Sequence, residues 1–205
     1  MGKKEERFFA TLQAMGLRID RKPRLEWLTN TIPGLEQEGC HNTLVRIFRE
    51  LGGDPIGMQK KRKVRLKPDA YLPDYNCILE FDELQHFTFE RQKTLLLYQN
   101  GVDVGYDLTA YIKLCEESSR LAYAEKRKGF SKPVPEFPFE RGRDCQRALF
   151  DSMRDILALE NGLKPTMRVS FFEVPSIGSD ARGAAEKIPD QVRIALKNRG
   201  VYLAS

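Results

Sequence analysis

The chain has 205 residues, 34 Lys and Arg against 29 Asp and Glu, a net charge of +5 and 41% hydrophobic content, which describes one domain able to bury a core without disulfide or metal staples. Disorder as the main state is excluded, and no stretch approaches the ~18 consecutive apolar residues that span a bilayer. The start, MGKKEERFFATLQ, lacks the continuous apolar segment of a secretory signal, so a cytoplasmic protein without a membrane partner is expected.

Cys40, Cys77, Cys115 and Cys145 form no C-x-x-C pair, and the two histidines are His41 and His86, so no local zinc pattern exists. The cysteines read as reduced thiols. Residues 1–34 are expected to be a helical extension, ahead of a core over about 35–175. From Leu35 to Leu51, Leu44, Val45, Ile47, Phe48 and Leu51 share one helical face, and Gly52-Gly53 supplies a left-handed stop. Lys60-Lys61-Arg62-Lys63-Val64-Arg65-Leu66-Lys67 then places six cations in eight residues before an extended stretch. Residues 64–81 read as two antiparallel strands joined through the turn Pro73-Asp74-Tyr75-Asn76.

Thr88 to Asn100 is helical in composition with Gly101 as its stop, and Val102 to Tyr106 suggests a short strand. Asp107 to Lys128 has the periodicity of a half-exposed helix ending in Lys126-Arg127-Lys128. Three prolines make Lys132 to Gly142 a loop or extended arm. Asp144 to Asn161 is another amphipathic helix, Met167 to Val174 a buried strand, and 176–205 a helical tail with its last helix at Pro189 to Asn198. No internal repeat is present. The fold class is α/β or α+β, a mixed central sheet flanked by helices in a single domain.

The densest chemistry lies between Lys67 and Phe87, with acids at 69, 74, 80, 82 and 83 in or beside the expected strands. Strand alternation points Glu80 and Asp82 to one face and Phe81 to the other. Asp69 entering from the neighbouring strand would bring three carboxylates together, and all-oxygen ligands favour a hard ion, Mg²⁺ or Mn²⁺. An ion held by Asp69, Glu80 and Asp82 can polarise a phosphodiester and activate water. Gln85 and a neutral His86 would orient or deprotonate that water. Lys60, Lys61, Arg62, Lys63, Arg65 and Lys67 would provide the phosphate-binding surface.

Pro68-Asp69, the eleven-residue step to Glu80, and Glu80-x-Asp82-x-x-Gln85-His86 resemble the PD-(D/E)xK, or restriction-endonuclease-like, nuclease superfamily, nearest to the very-short-patch-repair endonuclease group. The resemblance covers roughly 40–110 and implies a restriction-endonuclease-like fold and a metal-dependent endonuclease serving restriction, phage defence or DNA repair. Asp82 stands where that superfamily carries its motif lysine, and Glu83 where the nearer branch has glycine. The candidates for the lysine role are Lys93, seven residues beyond His86, or Gln85 through an alternative Glu83-x-Gln85 reading. A helical carboxylate that the superfamily often adds has Glu38 and Glu50 as candidates. Symmetric cleavage of both strands would call for a homodimer. The rival expectation is an inactive nuclease-fold module for nucleic-acid binding or another interaction, motivated by the missing lysine; a nuclease acting on RNA or on a modified base is a third. Phe137, Phe139, Phe171 and Phe172 read as core or loop anchors.

Overall fold

The computed structural model describes residues 2–35, 43–124 and 132–202. Glu38, Cys40, His41 and Lys126-Arg127-Lys128 lie outside the described residues. The elements in chain order are α1 (Lys3–Ala14), β1 (Asp20–Arg21), α2 (Thr43–Glu50), α3 (Pro55–Gln59), β2 (Ala70–Leu72), β3 (Cys77–Asp82), α4 (Phe89–Leu96), α5 (Leu108–Ala124), α6 (Gly142–Glu160), β4 (Met167–Ser170) and α7 (Ala184–Lys197).

The sheet order is β1-β2-β3-β4, with antiparallel pairing up to β3 and parallel pairing between β3 and β4. The β2–β3 hairpin turns at Asn76, which adopts a positive φ of 50° and accepts a hydrogen bond from the Tyr71 hydroxyl. Asparagine tolerates that conformation better than most side chains. Parallel pairing needs a crossover, and α4, α5 and α6 provide it.

Strand alternation sorts the two layers. Cys77, Leu79 and Phe81 of β3 join Met167 and Val169 of β4 beneath α1 and α7, where Phe8, Phe9, Leu12, Ile188, Val192 and Leu196 complete an apolar core. A second core forms among α2, α4, α5 and α6, from residues such as Val45, Phe48, Leu95, Tyr111, Leu149 and Met153. Between that core and the sheet, the opposite strand faces carry Glu80, Asp82 and Arg168. They lie in register, with Glu80 opposite Arg168 and Asp82 opposite Ser170. The period-two rule therefore places a polar layer inside the protein. Helix α6 closes it, burying Asp151, Ser152 and Asp155 as well as its apolar residues.

The mixed α/β class, the hairpin and its antiparallel sense match the sequence reading. Other expectations need correction. The stretch read as an N-terminal extension supplies α1 and β1, and the stretch read as a tail supplies α7, so both ends build the sheet's apolar layer. Residues 102–106 form no strand; they run irregularly, with Gly105 N donating to Thr166 O. Strand β4 ends at Ser170 because its hydroxyl accepts from Phe172 N while Glu173 accepts from Ser170 N, a reciprocal cap that starts a 3₁₀ turn. Helix α7 begins at Ala184 and carries Pro189 inside it. The ring is accommodated because burial of Ile188, Val192 and Leu196 favours the helix on either side of it.

Candidate active site

Pro68 is buried, and Asp69 follows it at the entry to β2. Its backbone N–H donates to Glu80 Oε1 at 2.9 Å, while its own Oδ2 accepts from Phe81 N at 3.0 Å. This reciprocal lock ties the eleven-residue spacing to the hairpin register and holds the two carboxylates side by side. Asp69 Oδ1 pairs with Lys22 Nζ at 2.5 Å, and the same nitrogen reaches Glu5 Oε1 at 2.6 Å. Lys22 follows β1, its N–H donates to Asp69 O, and its φ is 52°. Glu5 sits in the first turn of α1.

Glu80 is nearly fully buried, with Arg154 Nε 3.5 Å from its Oε2. That Nε makes no hydrogen bond, so the pairing is loose. Burial drives the Glu80 carboxyl up to about 8; Arg154 opposes the rise and neighbouring Asp69 adds to it. Burial acts the same way on Asp69, but Lys22 and the Phe81 N–H outweigh it and bring its pKa below the ordinary value. At neutral pH the pair thus carries one firm negative charge and one carboxyl that favours its proton.

Asp82 shares the Glu80 face as expected, but both its oxygens accept from Arg168 Nη1, at 2.9 and 3.0 Å. Arg168 is wholly buried, and it also reaches Asp155 Oδ1 at 2.9 Å and the Asp151 carbonyl at 3.0 Å. Burial opposes its charge, yet Asp155, Asp82 and Asp151 keep it protonated. The geometry therefore gives Asp82 a charge-pairing position in place of the expected metal-ligand role.

His86 lies in the 3₁₀ turn Leu84–His86 just beyond β3. Its Nδ1 is 2.9 Å from Asp151 Oδ2 and 3.5 Å from Asp82 Oδ1. Burial would lower the imidazole pKa, but these two carboxylates raise it above the usual value. The same two carboxylates hold the ring in place against α6 and the end of β3. The Gln85 side-chain Nε2 donates to Glu83 Oε2 at 3.2 Å, and the Gln85 backbone carbonyl accepts from Arg147 Nη1. Both bonds hold the turn that presents His86.

Of the lysine candidates, Lys93 is exposed on α4, and the cation against Asp69 is Lys22. Glu50 is exposed at the end of α2, and the helical carboxylate beside the cluster is Glu5. In the basic run, Lys60, Arg62, Lys63, Arg65 and Lys67 are exposed, whereas Lys61 is bound to the buried carboxylate of Glu136. Residues 64–66 run antiparallel to 28–30, through Asn30 N to Val64 O and Leu66 N to Leu28 O, and lead directly into Asp69. Lys63, Arg65 and Lys67 line an open recess of about 590 Å³ with Glu26 and Thr29.

Among the described residues, no three His, Cys, Asp or Glu side chains are grouped so that they could hold a metal ion. Two carboxylates remain, Asp69 and Glu80. Mg²⁺ commonly takes only one or two carboxylates from a protein and fills its shell with water and substrate phosphate. An all-oxygen pair in which Glu80 is only loosely paired fits an ion of that kind. Sequence reasoning missed Lys22, Arg154, Arg168, Asp151 and Asp155. One usable signal was an arginine, Arg168, inside an otherwise buried strand; another was the i,i+4 spacing of Asp151 and Asp155 on α6. The chain matches no protein-family model, no curated protein and no solved structure. No helix of the described residues is long and apolar enough to cross a membrane.

Proposed function

We propose that this chain is a metal-dependent endonuclease of restriction-endonuclease-like fold that hydrolyses DNA, with Asp69 and Glu80 as the carboxylates for Mg²⁺ or Mn²⁺. The reading rests on one observation: three sequence-distant residues, Lys22, Asp69 and Glu80, meet at one spot, and Lys22 is held there in a left-handed backbone. A non-glycine residue so held costs of order 1–3 kcal/mol, and such strain clusters at functional sites. A divalent ion would supply Lewis-acid polarisation of the phosphodiester.

The chain's own residues take the remaining roles. Lys22 neutralises charge developing on the phosphoryl oxygens. Asp151 fixes Nδ1 of His86, which leaves the other ring nitrogen to exchange a proton with, or hydrogen-bond, a substrate phosphate or water. The exposed cations from Lys60 to Lys67 bind backbone phosphates on the approach to Asp69. Restriction, phage defence and DNA repair are the settings that such an activity serves, and a homodimer would suit symmetric sites.

The test is cleavage of supercoiled plasmid and of mismatched duplexes with Mg²⁺, Mn²⁺ or EDTA. Metal-dependent cutting that is lost in Asp69→Ala, Glu80→Ala and Lys22→Ala supports the proposal, provided the variants fold. Cutting that survives EDTA or Asp69→Ala refutes it. A second reading, a nucleic-acid-binding module without activity, is favoured by a specific feature: Asp69, Glu80 and Asp82 already face Lys22, Arg154 and Arg168. It requires DNA binding indifferent to EDTA and no cleavage under any condition.

A further inference from the structure

Beyond the C-terminal end of β4 lies a recess of about 430 Å³, lined by Lys4, Phe171, Phe172, Pro175, Gly178 and Ser179. Phe171 and Phe172 stand with ring centroids 4.0 Å apart, and Phe172 is 38% exposed. Lys4 Nζ stands 4.8 Å from the Phe171 centroid. A side chain at 178 would take that space, since a Cβ there would meet Lys4 Cε at 2.7 Å. The wall is fixed to the fold, because Arg7 of α1 donates to the Ile177 carbonyl.

The recess shares α1 and the stretch after β3 with the carboxylate centre. Lys4 is followed in α1 by Glu5, which holds Lys22, and Phe172 packs at 5.6 Å against Phe87, the residue after His86. An exposed aromatic face, a neighbouring ammonium and small walls suit a planar ring attached to an anion. Aliphatic or acidic ligands would use only half of these features.

We infer that this recess receives one unpaired nucleobase of a DNA strand, stacked on Phe172 with its phosphate toward Lys4. This rests on the nuclease proposal for the adjacent centre. It also names the substrate: DNA with an unpaired position beside the scissile bond, as at a bulge or a frayed end. A fully stacked duplex keeps its bases out of the recess.

The experiment is fluorescence anisotropy in EDTA with three labelled DNAs: a single strand, a perfect duplex, and that duplex carrying one bulged base. Wild type should bind the single strand and the bulged duplex more tightly than the perfect duplex. Phe172→Ala should weaken those two by about five- to a hundredfold, the range for loss of one stacked base, and leave the perfect duplex unchanged. Phe172→Trp should restore binding, and Ile194→Ala, a change at another exposed apolar residue, should have no effect. Equal loss on all three DNAs, no loss on any, or no binding at all overturns the inference. Cleavage with Mg²⁺ separates the two proposals. If Phe172→Ala cuts bulged duplex at the wild-type rate, the recess is wrong while the nuclease stands; Phe172-dependent binding with no cutting leaves the recess and removes the nuclease.

Discussion

Replacing Arg168 with Met removes the cation at the centre of the buried polar layer while roughly keeping the side-chain length. In the native protein its guanidinium holds Asp82 through both oxygens, Asp155 through Nε, and the Asp151 carbonyl through Nη2. The two acids would not suffer equally. Asp155 keeps Arg91 at 2.7 Å and the hydroxyls of Tyr98 and Tyr106 at 2.9 and 3.0 Å. Among the described residues, Asp82 keeps only His86, at 3.5 Å. Breaking a buried ion pair from one side costs about 3–5 kcal/mol, against a total stability of about 5–15 kcal/mol. For a chain of this size that corresponds to a fall in Tm of about 6–20 °C. Urea unfolding at pH 7 reads the loss, and an unchanged slope certifies that the unfolded state is comparable. Adding Asp82→Asn to Arg168→Met should recover most of it, because the stranded charge is then gone. A single variant that loses less than about 1 kcal/mol, or a double variant no more stable than the single, would refute charge compensation as the reason for Arg168.

Four other outcomes are expected. Because the folded Glu80 pKa of about 8 lies above its ordinary value of 4.5, its contribution to stability is fully present below about 4.5 and is lost as pH rises through 8. Urea titrations across pH 4–9 should show that decline in wild type and a smaller one in Glu80→Gln; identical profiles would assign the decline elsewhere, with His86 the next group to examine. Replacing Lys60, Arg62, Lys63 and Arg65 by alanine should lower the salt dependence of DNA binding by about 0.9 in log–log slope for each phosphate no longer neutralised, and an unmoved slope would remove the run from the interface. Lys61→Ala should act on thermal stability, costing about 1–3 kcal/mol, since it leaves Glu136 buried without its cation; a variant as stable as wild type contradicts that pairing. Gly142→Ala should destabilise the start of α6 by about 1–3 kcal/mol, because a Cβ would collide with the Phe137 carbonyl, and calorimetry showing no change would deny the close approach.

Much of the scaffold was legible because it depends on short-range periodicity. Alternation along Cys77–Asp82 put Glu80 and Asp82 on one face, and the Pro73–Asn76 turn set the hairpin. The 3.6-residue spacing marked the helices that hold α2 (Thr43–Glu50), α5 (Leu108–Ala124) and α6 (Gly142–Glu160). The segment 102–106 misled because valines and a tyrosine suited a strand equally well, while in the fold Tyr106 turns its hydroxyl inward to Asp155. The first and last helices looked peripheral because each is amphipathic alone, and only the sheet supplies the apolar partner for Phe8, Phe9 and Val192.

The sequence by itself determined which acids could share a face, where the cations crowd, and that Asp69 and Glu80 stand eleven residues apart across a hairpin. Which charge meets which was decided only by the tertiary structure. Lys22, Arg154 and Arg168 reach their carboxylates from β1's end, α6 and β4, at separations that no local period encodes. The protonation preferences of Glu80 and His86 follow from the same packing, because desolvation and Coulomb energy depend on distance in space and on excluded water.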